Sequence, residues 1–338
     1  MFFIVVYHCL THGVGGGYTF GFSPTVSLAN LAFSDLLLVA SSTSVNLYVL
    51  VSGYFLCNLD FKPSRIVRTW ASACFYSFLI TVLIMLIGIA PFSMSGIGKS
   101  LFPVSTDAYW FVTQYIGLLI LSPFLSILIR HLTYRQYIAL LVGGAIICLS
   151  ILPDFPLGKR FHVAHGNSVW FFAYLFLIAG FVRNHLKQIN STRLLVSAVI
   201  VSLVIMLGEL YMGVKGDSIR LYWFDYNALP FILSVIVFVI FKQIRFPERG
   251  FWNTLAKWAP YTFGVYLIHD HLLIREWLWK GCSLSSQCDN VVYPLLIIGI
   301  CTLLFLLCLS IDLIRKKLFD MCRIDEYIKK LDGRLLWP

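Results

Sequence analysis

Ten apolar runs recur along the chain, at about 2–11, 31–57, 70–91, 109–129, 137–152, 168–182, 194–213, 222–241, 258–274 and 291–314. Most come close to the ~20 residues that a helix needs to cross the hydrocarbon core of a bilayer. Within that core every backbone N–H and C=O has to be satisfied by the chain itself, so a span of this length is a helix. The composition agrees: 59% of the 338 residues are hydrophobic and only 12% are charged, against roughly a quarter charged in a soluble domain. The expected fold is all-α, a polytopic transmembrane bundle of about ten helices. It occupies residues 1–316, with 317–338 as a short basic tail forming an interfacial helix near Trp337. No internal repeat is visible, which weighs against transporter folds built from repeats.

The net charge of +10 is unevenly placed. Lys62, Arg65 and Arg68 follow the second run, Arg130 and Arg135 the fourth, and Arg183, Lys187 and Arg193 the sixth. Lys242, Arg245, Arg249 and Lys257 follow the eighth, and the tail from Arg315 to Arg334 is also basic. The alternate loops hold only Lys99, Lys159, Arg160, Lys215, Arg220, Arg275 and Lys280. Basic residues collect on the cytoplasmic side, so the split predicts a multi-pass protein of the cell membrane with both termini cytoplasmic. It assigns the charge to anionic lipid rather than nucleic acid. No charged leader or small-residue cleavage site frames the first run.

That first run, MFFIVVYHCLTHG, is short. Met1 to Leu10 covers only about 15 Å as helix, half the ~30 Å core, so the first helix reads as N-terminally truncated. It carries His8, a polar ring in apolar surroundings, which needs a partner or a task. The loop that follows is rich in glycine (Gly13, Gly15, Gly16, Gly17), suited to tight turning. Late in the chain His269, Asp270 and His271 stand together near the outer end of a single helix over 258–274. Asp35, Glu209 and His12 also fall toward the outer side. An outer cavity lined by His12, Asp35, Glu209, His269 and Asp270 suits a sugar hydroxyl. On the inner side Arg65 and Arg68, three residues apart, share a helix face. Two guanidiniums there suit a phosphate-bearing ligand, or serve as plain cytoplasmic anchors. Tyr109 and Trp110 read as an interfacial aromatic belt. Most cysteines lie in apolar runs as small core residues, and no spacing resembles a zinc site. Cys282 and Cys288 share one loop, paired or free.

Three stretches resemble the acyltransferase 3 family of integral membrane acyltransferases, which modify surface polysaccharides and related glycans. IVVYHCLTHG with His8 is similar to the family's first-helix histidine. Arg65-Ile-Val-Arg68 is similar to its Arg-x-x-Arg motif, preceded by LYVLVSGYF. FGVYLIH, ending at His269, is similar to its penultimate helix. The family's arginine, eleven residues before the histidine, would fall upstream of Met1. Either the sequence begins inside a longer product or this copy lacks that arginine; the short first run favours the former, and the chain as given is expected to be impaired.

The resemblance implies a donor substrate, acetyl-CoA or another acyl-CoA, whose phosphates Arg65 and Arg68 hold from the cytoplasm, with no metal. It implies a glycan acceptor outside, and His8 between them as general base or nucleophile. The expected partners are membrane lipids, acyl-CoA, the glycan and polysaccharide-biosynthesis proteins. A transporter or flippase for a lipid-linked glycan accounts equally well for ten helices and embedded ionisable groups, but not for a diarginine face. A scaffold subunit of a polysaccharide synthase is the third class.

Overall fold

The computed structural model describes residues 1–14, 27–149, 166–215, 228–247, 249–282 and 284–333. Gly15, Gly16, Gly17, Lys159, Arg160, Arg220, Arg334 and Trp337 lie outside the described residues. Among the described residues the chain is helical, with no strand.

Among the described residues each of the ten apolar runs falls mainly on helix. The elements are α1 (Phe2–His8), a π-helical turn (Cys9–Val14), α2 (Leu28–Ser42), α3 (Ser44–Leu56), α4 (Pro63–Leu86), α5 (Met94–Ser100), α6 (Trp110–His131), α7 (Tyr134–Cys148) and α8 (Val169–Asn184). They continue with α9 (Ser191–Lys215), α10 (Ala228–Gln243), α11 (Phe251–Trp258), α12 (Thr262–His269), α13 (Leu272–Gly281), α14 (Tyr293–Met321) and α15 (Ile324–Lys329). Five helical stretches, Leu28–Leu56, Pro63–Leu86, Trp110–His131, Ser191–Glu209 and Tyr293–Met321, are long and apolar enough to cross a membrane; four shorter ones are also apolar. Local chemistry sets the ends. Pro63 opens α4, where its missing N–H costs nothing. Thr133 and Gln136 form a capping box on α7, and Ser27 and Ser168 cap α2 and α8.

The ninth run differs from the single helix expected. It is broken into α11, a 3₁₀ turn at Ala259–Tyr261, α12 and α13. Pro260 forbids a continuous ladder at the first break. At the second, Asp270 and His271, both poor helix formers that favour ends, leave the helix, and His271 turns extended (φ −62°, ψ 130°) to cap α13.

The chain divides into two compact units. One comprises residues 17–60 and 117–245. There α3 lies close against α8 through Gly53, where a Cβ would stand 3.0 Å from both the Phe176 Cα and the Ala179 Cβ. Small residues permit such approach where no water drives helices together. Polar groups are satisfied across helices. The Tyr137 hydroxyl donates to the Leu177 carbonyl (2.6 Å), Asn46 donates to Ser234 (3.2 Å), and Lys242 caps the end of α8 through the Val182 and Leu186 carbonyls (2.9 and 3.0 Å).

The other unit comprises residues 1–16, 61–116 and 246–338. Here α1 and α12 pack on α14, and α4 packs on α12, α13 and α15. Its midsection holds a buried polar node. The Asp312 carboxylate accepts from the Tyr76 hydroxyl (2.8 Å) and from Arg315 Nε and Nη2 (2.6 and 3.0 Å). Gly264 on α12 makes room for it, since any Cβ there would overlap the Asp312 carboxyl.

At the end of this unit α15 folds back on α4. Asp325 accepts from Arg68 Nε (2.9 Å) and Lys316 Nζ (2.7 Å), and Asp332 accepts from the Ser64 N–H (2.9 Å) and hydroxyl (2.7 Å). Burial pushes the Asp325 carboxyl up, but the bonds from Lys316 and Arg68 outweigh it and hold it below the usual carboxylate range. Partial burial likewise raises Asp332, while Ser64, with Lys62 and Arg65 nearby, brings it down overall. A carboxyl whose pKa is lower in the folded chain stabilises at every pH above its unfolded value, and that contribution drains away as pH falls through the folded value. Acidification below about pH 4 is therefore expected to loosen 324–333 before the rest of the unit. Amide exchange of that segment against pH checks this, and an Asp325→Asn, Asp332→Asn protein is expected to lose the acid dependence.

Candidate functional site

The unit of residues 1–16, 61–116 and 246–338 brings four of the residues singled out by sequence into one cluster. His8 closes α1, where the backbone widens into the π-helical turn carrying His12 one turn on. Such widened turns frequent functional positions. Thr11 returns its hydroxyl to the Tyr7 carbonyl (2.8 Å) within the turn, and Cys9 faces Cys301 on α14. His269 ends α12, and Asp270 is its cap. His8, His269 and Asp270 are all buried. The His8 and His12 rings lie 5.6 Å apart between centroids, and those of His8 and His269 5.1 Å.

The hydrogen bonds fix where the protons sit. His8 Nδ1 and His269 Nε2 are 2.9 Å apart, so one donates and the other accepts. His269 Nδ1 lies 2.6 Å from the Val265 carbonyl oxygen, which can only accept. The proton of a neutral His269 is therefore on Nδ1, and its Nε2 is the acceptor. His8 must then donate from Nδ1, and among the described residues its Nε2 lone pair has no hydrogen-bond partner. Asp270 Oδ1 stands 3.5 Å from His8 Nδ1 and accepts from Arg275 (3.4 Å). A base oriented by a hydrogen bond, with a carboxylate beside the nitrogen that stays protonated, can take a proton at its far nitrogen and carry the resulting charge.

His8, His12 and Asp270 also bring ligand atoms within 4.8 Å of one another. Arg275 neutralises Asp270 and repels a cation, so the cluster suits proton transfer better than metal binding.

Aromatic side chains wall the cluster. The Tyr266 ring lies tilted at 6.5 Å from that of His8 and 6.0 Å from that of Tyr109, centroid to centroid. Tyr109 is not in an interfacial belt: it is 1% exposed, and its hydroxyl donates to the Leu267 carbonyl (2.9 Å). That carbonyl would bond residue 271 in a longer helix, and the break after His269 orphans it. Tyr109 takes the vacant place. Arg275 and Tyr109 are the members that sequence reasoning missed. The signal for Arg275 was its position one turn into a helix beginning just after Asp270.

Asp35 and Glu209 lie in the other unit. Each is wholly buried, one helical turn from Val39 on α2 and Ile205 on α9, which meet in that unit's core. Arg65 and Arg68 occupy the first turns of α4, with Arg68 paired to Asp325. Cys282 and Cys288 are thiols, not a disulfide.

No curated protein matches the chain, nor does any solved structure. Residues 1–313 match the family described as Acyltransferase domain. The match covers nearly the whole chain and takes in the histidine cluster, the α4 arginines and every apolar helix, so the chain belongs to the acyltransferase 3 family and is a membrane acyltransferase.

Proposed function

We propose that the protein moves an acyl group, acetyl in the first instance, from acyl-CoA to a hydroxyl of a glycan outside the cytoplasm or linked to lipid. The observation that carries this reading is the proton arrangement at His8: Nδ1–H is engaged by His269, and Nε2 has no partner among the described residues. In the proposed step His8 Nε2 removes the proton of the acceptor hydroxyl as that oxygen attacks the thioester carbonyl. The tetrahedral intermediate then expels the coenzyme A sulfur, which takes the proton back from Nε2. The products are the glycan ester and free coenzyme A, with the histidine restored. Asp270, 3.5 Å from Nδ1, stabilises the imidazolium between the two transfers. His12, one turn on from His8, lines the acceptor's approach.

Arg65 and Arg68 are assigned to the donor's phosphates, which match guanidinium forks. The spacing supports this. Arg68 to Tyr76 is about 12 Å along α4, and Gly264 to His269 about 7 Å along α12. The Tyr76–Asp312 bond and the Gly264–Asp312 contact join these stretches. An extended pantetheine arm covers that length, bringing a thioester to His8 while the phosphates stay at the arginines.

The test is transfer of labelled acetyl from acetyl-CoA to a glycan acceptor by purified protein in nanodiscs. Arg65→Ala and Arg68→Ala are each expected to raise KM for acetyl-CoA about ten- to a hundredfold, the range for a lost hydrogen bond to a charged group, with kcat little changed. Unchanged KM in both would remove the arginines from the donor site. Flipping of a lipid-linked glycan without any transfer would replace the reading with the flippase.

A further inference from the structure

We infer that the C-terminal segment 324–333 is an internal competitor for the donor's phosphates, occupying Arg68 and the start of α4 until an acyl-CoA displaces it. The inference rests on the assignment of Arg65 and Arg68 to those phosphates.

Carboxylate and phosphate oxygens call for the same donors. The segment offers two carboxylates seven residues apart, and both are aimed at the start of α4. Asp325 engages Arg68 Nε and Lys316 Nζ at 2.9 and 2.7 Å. Asp332 takes the Ser64 N–H and hydroxyl at 2.9 and 2.7 Å, with Lys62 and Arg65 close enough to draw it in. Lys316 is shared further with Asp320 on its own helix. A donor phosphate reaching Arg68 therefore meets a position already filled by an anion of the chain.

The segment is built to be displaced. Its helix α15 has six residues, too few to persist alone. It buries Ile328, while Tyr327 is 64% exposed. It joins α14 at Arg323, whose φ of 53° is uncommon for a side chain other than glycine. The Arg68 side chain is 42% exposed, and ion pairs of that exposure add little stability. Phosphates replacing the carboxylates restore every charged hydrogen bond the displaced segment gives up. The arrangement makes resting affinity for the donor lower than the bare site would have, and couples donor arrival to release of 324–333.

The test compares acetyl-CoA binding by the full-length wild type, the Asp325→Asn, Asp332→Asn protein and the Arg65→Ala, Arg68→Ala protein, all in detergent micelles. Amide exchange of 324–333 is followed in the wild type with acetyl-CoA or with S-acetylpantetheine, which lacks the phosphates. The expected results are binding about tenfold tighter in the aspartate variant, as removal of a competing closed state requires, and faster exchange with acetyl-CoA but not with S-acetylpantetheine. The exchange measurement needs no variant, so poor folding of the aspartate protein leaves the inference open to refutation. If acetyl-CoA binds through the arginines but the aspartate variant binds no tighter and exchange is unmoved, competition is wrong and the donor assignment stands. If no protein binds acetyl-CoA, the donor assignment fails and the competitor falls with it.

Discussion

His8→Ala is expected to lower acetyl transfer by about 10²- to 10⁴-fold, the usual contribution of a positioned general base, with acetyl-CoA binding unchanged. The loss should appear in kcat, because in the proposed step the ring acts on the acceptor proton in the transition state rather than on the donor's phosphates. The neighbour gives a finer test. His269 acts on the reaction only through His8, by accepting its Nδ1 proton at 2.9 Å. His269→Leu removes that acceptor and frees the His8 proton to move to Nε2, where it blocks the base. His269→Gln offers an amide oxygen in its place. The glutamine protein is therefore expected to keep more kcat than the leucine protein, with KM for acetyl-CoA the same in both. A His8→Ala protein that transfers acetyl at the wild-type rate would move the base elsewhere. Equal rates for His269→Leu and His269→Gln would reduce His269 to packing.

The second large effect is on stability. Asp312→Ala is expected to destabilise the protein by about 3–5 kcal/mol, the range for removing one partner of a buried ion pair. Arg315, whose side chain is 11% exposed, would keep its charge without its carboxylate, and the Tyr76 hydroxyl would lose its acceptor. The cost lies in the stranded partners rather than in the pair itself. Replacing all three groups by apolar ones of similar size (Asp312→Leu, Arg315→Met and Tyr76→Phe together) is therefore expected to recover most of the loss. Thermal unfolding of the purified proteins in detergent distinguishes the cases. A triple variant no more stable than Asp312→Ala would mean that the node shapes the fold by more than charge compensation.

The helices were legible because apolar runs of near-span length have one solution in a bilayer. His8 was legible as a polar ring where hydrocarbon was expected. The pairing of His8 with His269 was not, since the two are 261 positions apart and a sequence does not say which helix ends meet. The break after His269 was concealed by the apolar residues on both sides of it, which outvoted the helix-ending character of Asp270 and His271. Arg68 read as a phosphate ligand or a cytoplasmic anchor, and only the return of α15 onto α4 gives it Asp325 as a partner. Tyr109 was misread for a related reason: an aromatic beside tryptophan at a helix start has the look of a belt residue, and the orphaned Leu267 carbonyl that recruits it exists only because α12 stops early.

The acceptor for the His269 Nδ1 proton is a main-chain oxygen, one turn back on its own helix. Its consequence is that the orientation of the proposed base is inherited from backbone geometry and not from any side chain that could be exchanged at position 265. Valine there should be replaceable by leucine or isoleucine at little cost to chemistry. Unwinding the last turn of α12 would erase the instruction entirely, because the carbonyl would swing away and either tautomer would become available. Tyr109, whose hydroxyl bonds the Leu267 carbonyl in that turn, then bears on proton placement without touching a reacting atom.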